Sequence, residues 1–479
     1  MNKFAQLDHQ FVWHPFTQMR DWLAREPIVI TSGKDAVLRD VHGKEYLDAN
    51  SSIWTNLHGH AHPKINLAIQ KQLKKISHSS ALGFANEPAS LLAAELIKAA
   101  NPNPVGRASS RAVSKVFFSD DGSTAMEVAL KLAYEFARRS DRSKTPKFLS
   151  LDGAYHGDTI GAVSAGHIDL FHKAYSGLLF KTDKVAAPYC YRCPHNKAKP
   201  ERSDARDYRK CKFECLKAVE QNFTEQRKTK NPYAAMVVEP LMQGAAGMIA
   251  QPEGWLKSVA EIVHNDGAQL IADEVMTGFG RTGSLFACHK ENVQPDFMAL
   301  AKGMTGGYLP MAATLTTQKV FDAFLGNYDE FKTFFHGHSF TGNQLGSAAA
   351  LESLEILQSP QSISARRKLQ ESFSNELKKL WSLPNVGDIR QVGLVAGIEL
   401  VKNWETREPF ALRERAGIRV CEAMTQRGVL TRPIGNVIVL MPPYCTTAKQ
   451  VVKMISALAE SIEEILENDP GKLHRRERR

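Results

Sequence analysis

Through the middle of the chain, short runs of β-branched and aromatic residues alternate with stretches whose apolar residues recur every three or four positions. The first pattern predicts buried strands and the second amphipathic helices, and their alternation is the mark of a parallel sheet with crossover helices. Val116-Phe117-Phe118 reads as a buried strand, and behind it Ala125, Val128, Ala129, Leu132, Ala133 and Phe136 share one helical face. Further strands are expected at 147–150, 235–238, 269–272 and 297–300. Beyond about residue 345 the pattern lengthens into helices carrying Leu351, Leu354, Leu357, Leu369, Phe373, Leu377 and Leu380. Strand-like runs then return at 386–400, 429–431 and 437–440, so one α/β core with a second, smaller α+β lobe is expected.

Composition narrows the class without changing that picture. Hydrophobic residues at 43% and charged residues at 23% of 479 belong to a globular chain, not a disordered one. No repeat of 20–50 residues is visible, and no apolar run approaches the roughly 20 residues of a membrane span. The first sixteen residues lack an apolar signal core. A soluble cytoplasmic protein is the expectation. The net charge of +10 gathers at 197–212 and in the tail 472–479, without interleaved aromatics or a nucleic-acid motif. It reads as solvated basic surface, with neither nucleic acid nor membrane as partner.

Four of the seven cysteines cluster as Cys190-x2-Cys193 and Cys211-x3-Cys215. Two readings stand beside each other: four thiolates closing a structural zinc shell, or a surface insertion whose thiols stay reduced. The second is the expectation, with no metal and with all four cysteines dispensable for catalysis.

Gly278-Phe279-Gly280-Arg281-Thr282-Gly283 has the outward form of a dinucleotide fingerprint. Asp273-Glu274-Val275-Met276-Thr277 separates it from the preceding strand, and no helical period follows, so a hydride-transferring dehydrogenase is set aside. The histidines of His58-Gly59-His60-Ala61-His62 and His336-Gly337-His338 read as loop residues that orient backbone or substrate.

The informative groups sit at strand ends. Asp273 closes one apolar run, and Lys302 follows another 29 residues later with Gly303 beside it. A desolvated lysine amine forms Schiff bases, and a facing aspartate can keep a pyridine nitrogen protonated. Asp121-Gly122-Ser123-Thr124 opens a helix whose N–H groups suit a phosphate. Tyr155 in Gly153-Ala154-Tyr155-His156-Gly157 can stack on a ring.

These motifs, together with Val238-Glu239-Pro240, the 272–283 stretch and the glycines at 302–307, resemble the class III aminotransferases, pyridoxal-phosphate enzymes of fold type I. The resemblance covers nearly the whole chain. It implies a large cofactor domain at 64–344, containing the 190–215 insertion, with a mixed, mostly parallel sheet. The smaller α+β domain would come from both ends, 1–63 and 345–479. Lys302, Asp273 and Tyr155 are implied as catalytic. Gly122, Ser123, Tyr155, Asp273, Lys302, His338 and Ser339 are implied to bind pyridoxal phosphate, Ser339 reaching in from the neighbouring subunit of a homodimer.

A narrower likeness runs through Trp13-His14-Pro15-Phe16-Thr17-Gln18-Met19, the 52–59 and 155–162 stretches, 336–343 and Thr431-Arg432-Pro433-Ile434-Gly435. It is similar to the branch that aminates 8-amino-7-oxononanoate on the route to biotin. That implies substrate contacts from Phe16, Trp54, Arg281, Gly337 and Arg432. Arg432 would clamp a remote carboxylate, and Glu239 would screen Arg281. Members using S-adenosylmethionine as donor carry Tyr where this chain has Phe16, and Pro-Thr where it has His338-Ser339. Those departures resemble the branch that uses lysine, so S-adenosylmethionine and L-lysine both stand as donors. Other members of the wider family act on diamines, ornithine or 4-aminobutyrate, the alternative reading.

Overall fold

The computed structural model describes residues 1–102 and 111–467. Its central sheet has seven strands: β1 Val113–Ser119, β2 Lys147–Leu151, β3 Asp183–Val185, β4 Tyr233–Val238, β5 Gln269–Asp273, β6 Phe297–Leu300 and β7 Ala312–Thr317. They lie in the order β1-β7-β6-β5-β4-β2-β3. The pairs from β6 to β3 are parallel, and β7 alone runs antiparallel to both of its neighbours. This is the α/β, fold-type I arrangement.

Strands β4 to β7 are buried along their whole length, because helices cover both faces of the sheet. Four of the seven were readable as apolar runs in part or whole, together with the core of β1. Strand β7 escaped that reading because Ala312-Ala313-Thr314-Leu315-Thr316-Thr317 holds a single large apolar side chain. Its small residues let helix α1, Gly122–Arg139, approach closely, and Thr314 Oγ1 donates to the Ala125 carbonyl at 2.7 Å. The six residues expected on the inner face of α1 are all buried.

Helices Gln344–Gln358 and Pro360–Leu377 lead to an antiparallel sheet containing Val386–Val392, Val395–Asn403 and Val437–Leu440. The N-terminal and C-terminal parts of the chain also meet directly. Val429–Leu430 pairs in parallel with Glu45–Asp48, extending the N-terminal sheet of Ile30–Lys34, Val37–Asp40 and Glu45–Asp48. The N-terminal strands had no sequence reading, since their burial is partial and their alternation weak.

The cysteine-bearing segment, read as a surface insertion, packs against the antiparallel sheet. Tyr191, Cys190 and Ala205 are buried together, and charged side chains bolt the segment to the antiparallel sheet. Arg192 of the segment lies 2.6 Å from Glu399 of the sheet, whose own Arg390 Nη1 stands 2.6 Å from Glu399 and 3.0 Å from Asp388. Arg202 donates to the carbonyls of Trp381, Leu383 and Val386, and Arg206 to that of Gln391. The basic tail at 472–479 lies outside the described residues. Among the described residues no helix is long and apolar enough to cross a membrane.

Candidate active site

Strands β5 and β6 are adjacent and parallel, with Asp273 opposite Ala299 in register. Asp273 ends β5 and Lys302 lies just past β6, so both side chains leave the sheet at its carboxyl edge, where open α/β sheets bind ligands. They line one cavity of about 490 Å³ with Trp54, Gly122, Ser123, Tyr155, His156 and Glu239. Lys302 is surrounded by protein except toward that cavity. Burial pushes its pKa below the usual lysine value, against the opposing pull of Asp273 and Glu239. Its Nζ lies 5.2 Å from the centre of the Trp54 ring.

Asp273 is held from two sides. The Val275 N–H donates to Oδ1 at 3.0 Å, and His156 Nδ1 stands 2.7 Å from Oδ2. Burial disfavours the charged imidazole, yet the contact with Asp273 raises its pKa above the ordinary histidine value. Glu239 accepts the Gly244 N–H at 2.7 Å and the Tyr155 N–H at 3.3 Å. Burial, reinforced by Asp273, pushes its carboxyl up to about 7. His156 stood in the Tyr-His-Gly motif without a role. Its position directly after Tyr155 was the available signal.

Helix α1 begins at the same cavity. Asp121 caps it by accepting the Thr124 N–H at 2.8 Å, while the Asp121 N–H donates to Thr124 Oγ1 at 2.9 Å. A Cβ on Gly122 would come within 2.6 Å of Val275 Cγ1, so only glycine leaves this edge open. Ser123 Oγ accepts the Asp158 N–H at 3.1 Å. Tyr155 donates its hydroxyl to Asp158 Oδ2 at 2.8 Å, and its ring lies within 13° of parallel to His172.

Trp54 reaches the cavity through unusual backbone. Ser51, Ser52, Ile53 and Trp54 all have positive φ, between 47° and 70°. Left-handed geometry costs roughly 1–2 kcal/mol for each non-glycine residue. Asp48 offsets part of it by accepting the Ser52 N–H at 3.0 Å and the Ser52 hydroxyl at 2.9 Å. Trp54 Nε1 donates to Asn50 Oδ1 at 2.8 Å.

Phe16 and Arg432 do not line this cavity. They share a second one of about 640 Å³ between the N-terminal segment and the C-terminal lobe. An aromatic chain connects the two: Phe16 meets Phe171 edge-on at 5.3 Å, and Phe171 meets Tyr155 at 6.2 Å.

Arg281 is the residue that the resemblance places at the substrate. It is fully buried, lines neither cavity, and donates to the carbonyls of Pro442 at 2.9 Å and Asn56 at 3.1 Å. Its electrostatic neighbours are Tyr444 and Asp48. Gly337 and Ser339 are also outside the cavity lining. His338 Nδ1 stands 2.9 Å from Asp120 on the rim, and the Ser339 carbonyl accepts from His78 at 3.0 Å. His58 pairs with Ser353 and His60 with Asp48, as loop histidines do. The glycines at 278–283 lie in turns, and a short 3₁₀ segment at Ala287–Glu291 follows, not a helix.

The site therefore offers a helix N-terminus for an anion, a flat ring wall, a buried carboxylate backed by imidazole, and one deep lysine amine. That set fits a phosphorylated pyridine aldehyde at each of its functional groups.

Comparison with known proteins agrees with this geometry. The family described as aminotransferase class-III matches residues 20–462. The adenosylmethionine-8-amino-7-oxononanoate aminotransferase of Geobacter sulfurreducens is 46% identical over 455 residues, 95% of this chain and 96% of that one. The crystal structure of the enzyme of that name from Methanocaldococcus jannaschii superposes with a TM-score of 0.87 at 39% identity, covering 96% of this chain and 98% of the other. The omega transaminase from Pseudomonas jessenii in complex with PMP also reaches 0.87, at 25% identity, over 97% and 99% of the two chains.

Proposed function

The chain belongs to the class-III aminotransferases, pyridoxal-phosphate-dependent enzymes, and from that premise we propose that it transfers an amino group to 8-amino-7-oxononanoate, forming 7,8-diaminononanoate for biotin synthesis. The observation that carries the reading of the site is the placement of Asp273 and Lys302 at the ends of neighbouring parallel strands, facing one cavity with the start of α1.

Pyridoxal phosphate, when bound, supplies a protonated ring that accepts the electron pair left when an amine-bearing carbon loses its proton. The N–H groups of Gly122 and Ser123 would hold its phosphate, Tyr155 its ring face, and Asp273 its ring nitrogen. Lys302 would hold its carbonyl carbon. Lys302 Nζ takes up the proton from the substrate carbon and returns it at the other end of the shift. Its burial suits this, because an amine with a lowered pKa is available unprotonated nearer neutral pH. His156 keeps the Asp273 carboxylate in place through the exchange. Trp54 closes the cavity above Lys302 and offers an apolar wall to an aliphatic chain.

The remote carboxylate of the oxononanoate would meet Arg432, whose planar guanidinium suits bidentate pairing. Phe16 and Phe171 would line the passage between the two cavities. Gly337, His338 and Ser339 would serve the neighbouring subunit's site in a homodimer. Phe331, Phe335 and Phe340, exposed by 68%, 72% and 59%, support this as a surface that needs covering. The small-domain segments 1–63 and 345–479 belong to the same proposal, supported by the pairing of Val429–Leu430 with Glu45–Asp48. The working compartment would be the cytoplasm.

S-adenosylmethionine is the donor named for the relatives, and Phe16 favours L-lysine as a second reading. A phenol hydroxyl absent at Phe16 removes a hydrogen bond worth about 1 kcal/mol. Each donor is mixed alone with the cofactor-loaded enzyme, and conversion to the pyridoxamine form is followed, then 8-amino-7-oxononanoate is added. Return to the starting spectrum with formation of the diamine supports the acceptor. Return only with other ketones or aldehydes would sink it in favour of a broader amine transaminase, which the match to the omega transaminase keeps in view.

A further inference from the structure

Seventeen residues separate the two cysteine pairs in sequence, yet the fold brings both to one small cavity. Cys190, Cys193, Cys211 and Cys215 all line a small cavity of about 10 Å³, walled by Pro188, Pro252 and Phe213. That is the room of a single atom or water. The sulfurs lie within electrostatic reach of one another, Cys190 with Cys211 and Cys215, and Cys215 with Cys193 and Cys211.

Asn196 ties the two cysteine turns together. Its amide donates to the Cys190 carbonyl at 2.9 Å, and its oxygen accepts the Lys210 N–H, next to Cys211, at 2.9 Å. The Lys197 N–H adds a backbone bond to the Lys210 carbonyl at 3.1 Å. Cys215 lies in the first turn of a helix, Glu214–Lys228, entered through Phe213 at a positive φ of 53°. Trp255 is fully buried, and its Nε1–H faces Cys215 without an oxygen or nitrogen acceptor.

We propose that these four cysteines form a structural zinc site that fastens the 190–215 segment against the rest of the enzyme. The spacings Cys-x2-Cys and Cys-x3-Cys both fall within the range that structural zinc sites use. A zinc held by four thiolates carries a net double negative charge, and its surroundings answer it. Residues 190–215 contain eight Lys and Arg against four Asp and Glu, and Arg209 Nη1 approaches the Cys211 sulfur at 3.4 Å. The Trp255 N–H is a ready donor to the Cys215 thiolate.

Binding exchanges four S–H bonds for four Zn–S bonds and releases four protons to solvent, with no change of oxidation state. Among the described residues no three His, Cys, Asp or Glu side chains are already grouped for a metal. The sulfurs must therefore close by rotation about χ1, between staggered positions that leave the backbone in place.

The site shares no lining residue with the catalytic cavity, so its role is in stability. Full-length enzyme purified without chelator is analysed for metal, and a mercurial thiol reagent is titrated in while zinc release is followed with a coloured indicator. Stoichiometric zinc, released as four thiols react, is expected. Cobalt loading should give thiolate-to-metal charge transfer with the intense visible bands of a tetrahedral site. Cys190→Ser with Cys211→Ser should lose the metal and lower Tm by several degrees, with the turnover of the folded, cofactor-loaded fraction kept. Should that variant not fold, the titration and cobalt spectrum of the unaltered chain decide alone. Metal-free protein with all four thiols freely reactive, an octahedral cobalt spectrum, or zinc retained by the double variant would each overturn the proposal.

Discussion

His156 Nδ1 stands 2.7 Å from Asp273 Oδ2 on the wall of the cavity that Lys302 enters. A buried imidazole in this position does two things for a carboxylate that must face a cofactor ring. It fixes the orientation of the carboxylate, whose Oδ1 accepts the Val275 N–H, and it compensates a largely buried charge. Hydrogen bonds to charged groups contribute about 1.5–3 kcal/mol, so His156→Ala should lower kcat/KM by about 10- to 100-fold. His156→Asn retains an N–H near the Nδ1 position and should recover part of that loss. Unchanged kcat/KM in the alanine variant would show that Asp273 needs no support.

Lys302 is expected to carry the proton transfer. Its replacement by alanine should reduce turnover by at least the roughly 10²–10⁴-fold that general acid–base catalysis contributes. Borohydride treatment of the cofactor-loaded enzyme should fix the cofactor to the peptide containing Lys302. Peptide mapping that finds the label on any other lysine would displace the assignment.

Gly122 and Val275 are coupled by contact. A Cβ at Gly122 would meet Val275 Cγ1 at 2.6 Å. Overpacking of this kind costs about 1–3 kcal/mol, so Gly122→Ala should weaken cofactor retention and lower Tm. Adding Val275→Ala removes the colliding methyl groups and should restore much of both. A double-mutant cycle with no interaction energy would mean the methyl group finds space elsewhere.

Glu239 predicts a pH dependence of stability. Its folded pKa is raised from 4.5 to about 7 by burial. Between those values the native state keeps a proton that the unfolded chain has already lost, so stability falls as pH rises through this window. The contribution is about 3 kcal/mol. Glu239→Gln should flatten that part of the curve in the cofactor-free enzyme, measured by chemical denaturation at several pH values. An equally steep decline in the variant would assign the effect to other groups.

Arg281 separates a structural role from a substrate role. Because its guanidinium is fully buried and donates to the Pro442 and Asn56 carbonyls, Arg281→Met should leave those acceptors unpaired, at about 1–3 kcal/mol each. Tm should fall, while KM for the keto acid in the folded fraction stays near that of the parent. A large rise in KM with unaltered Tm would return Arg281 to the substrate.

The chain's linear pattern was sufficient for the α/β class, for the helical face of α1, and for the ends of β5 and β6 where Asp273 and Lys302 sit. These features are local. A strand buried on both faces must be apolar along its length, and a ligand at the carboxyl edge of such a sheet draws its residues from the positions that follow. Lys302 and Asp273 could therefore be singled out from a run of letters and its end.

Only the tertiary structure decided the rest, because the remaining choices depend on neighbours far away in sequence. Strand β7 is made of alanine and threonine, so its burial shows only once α1 lies on it. Arg281 stands in a motif as a substrate residue, and only the fold shows that its Nη1 and Nη2 donate to carbonyls of residues 442 and 56. The four cysteines read as one cluster with two open roles, and only the fold brings all four to the wall of one cavity. An ion, a hydrogen-bond acceptor or a packed methyl group is a matter of three-dimensional distance, and linear spacing constrains that distance only within a turn or two of the chain.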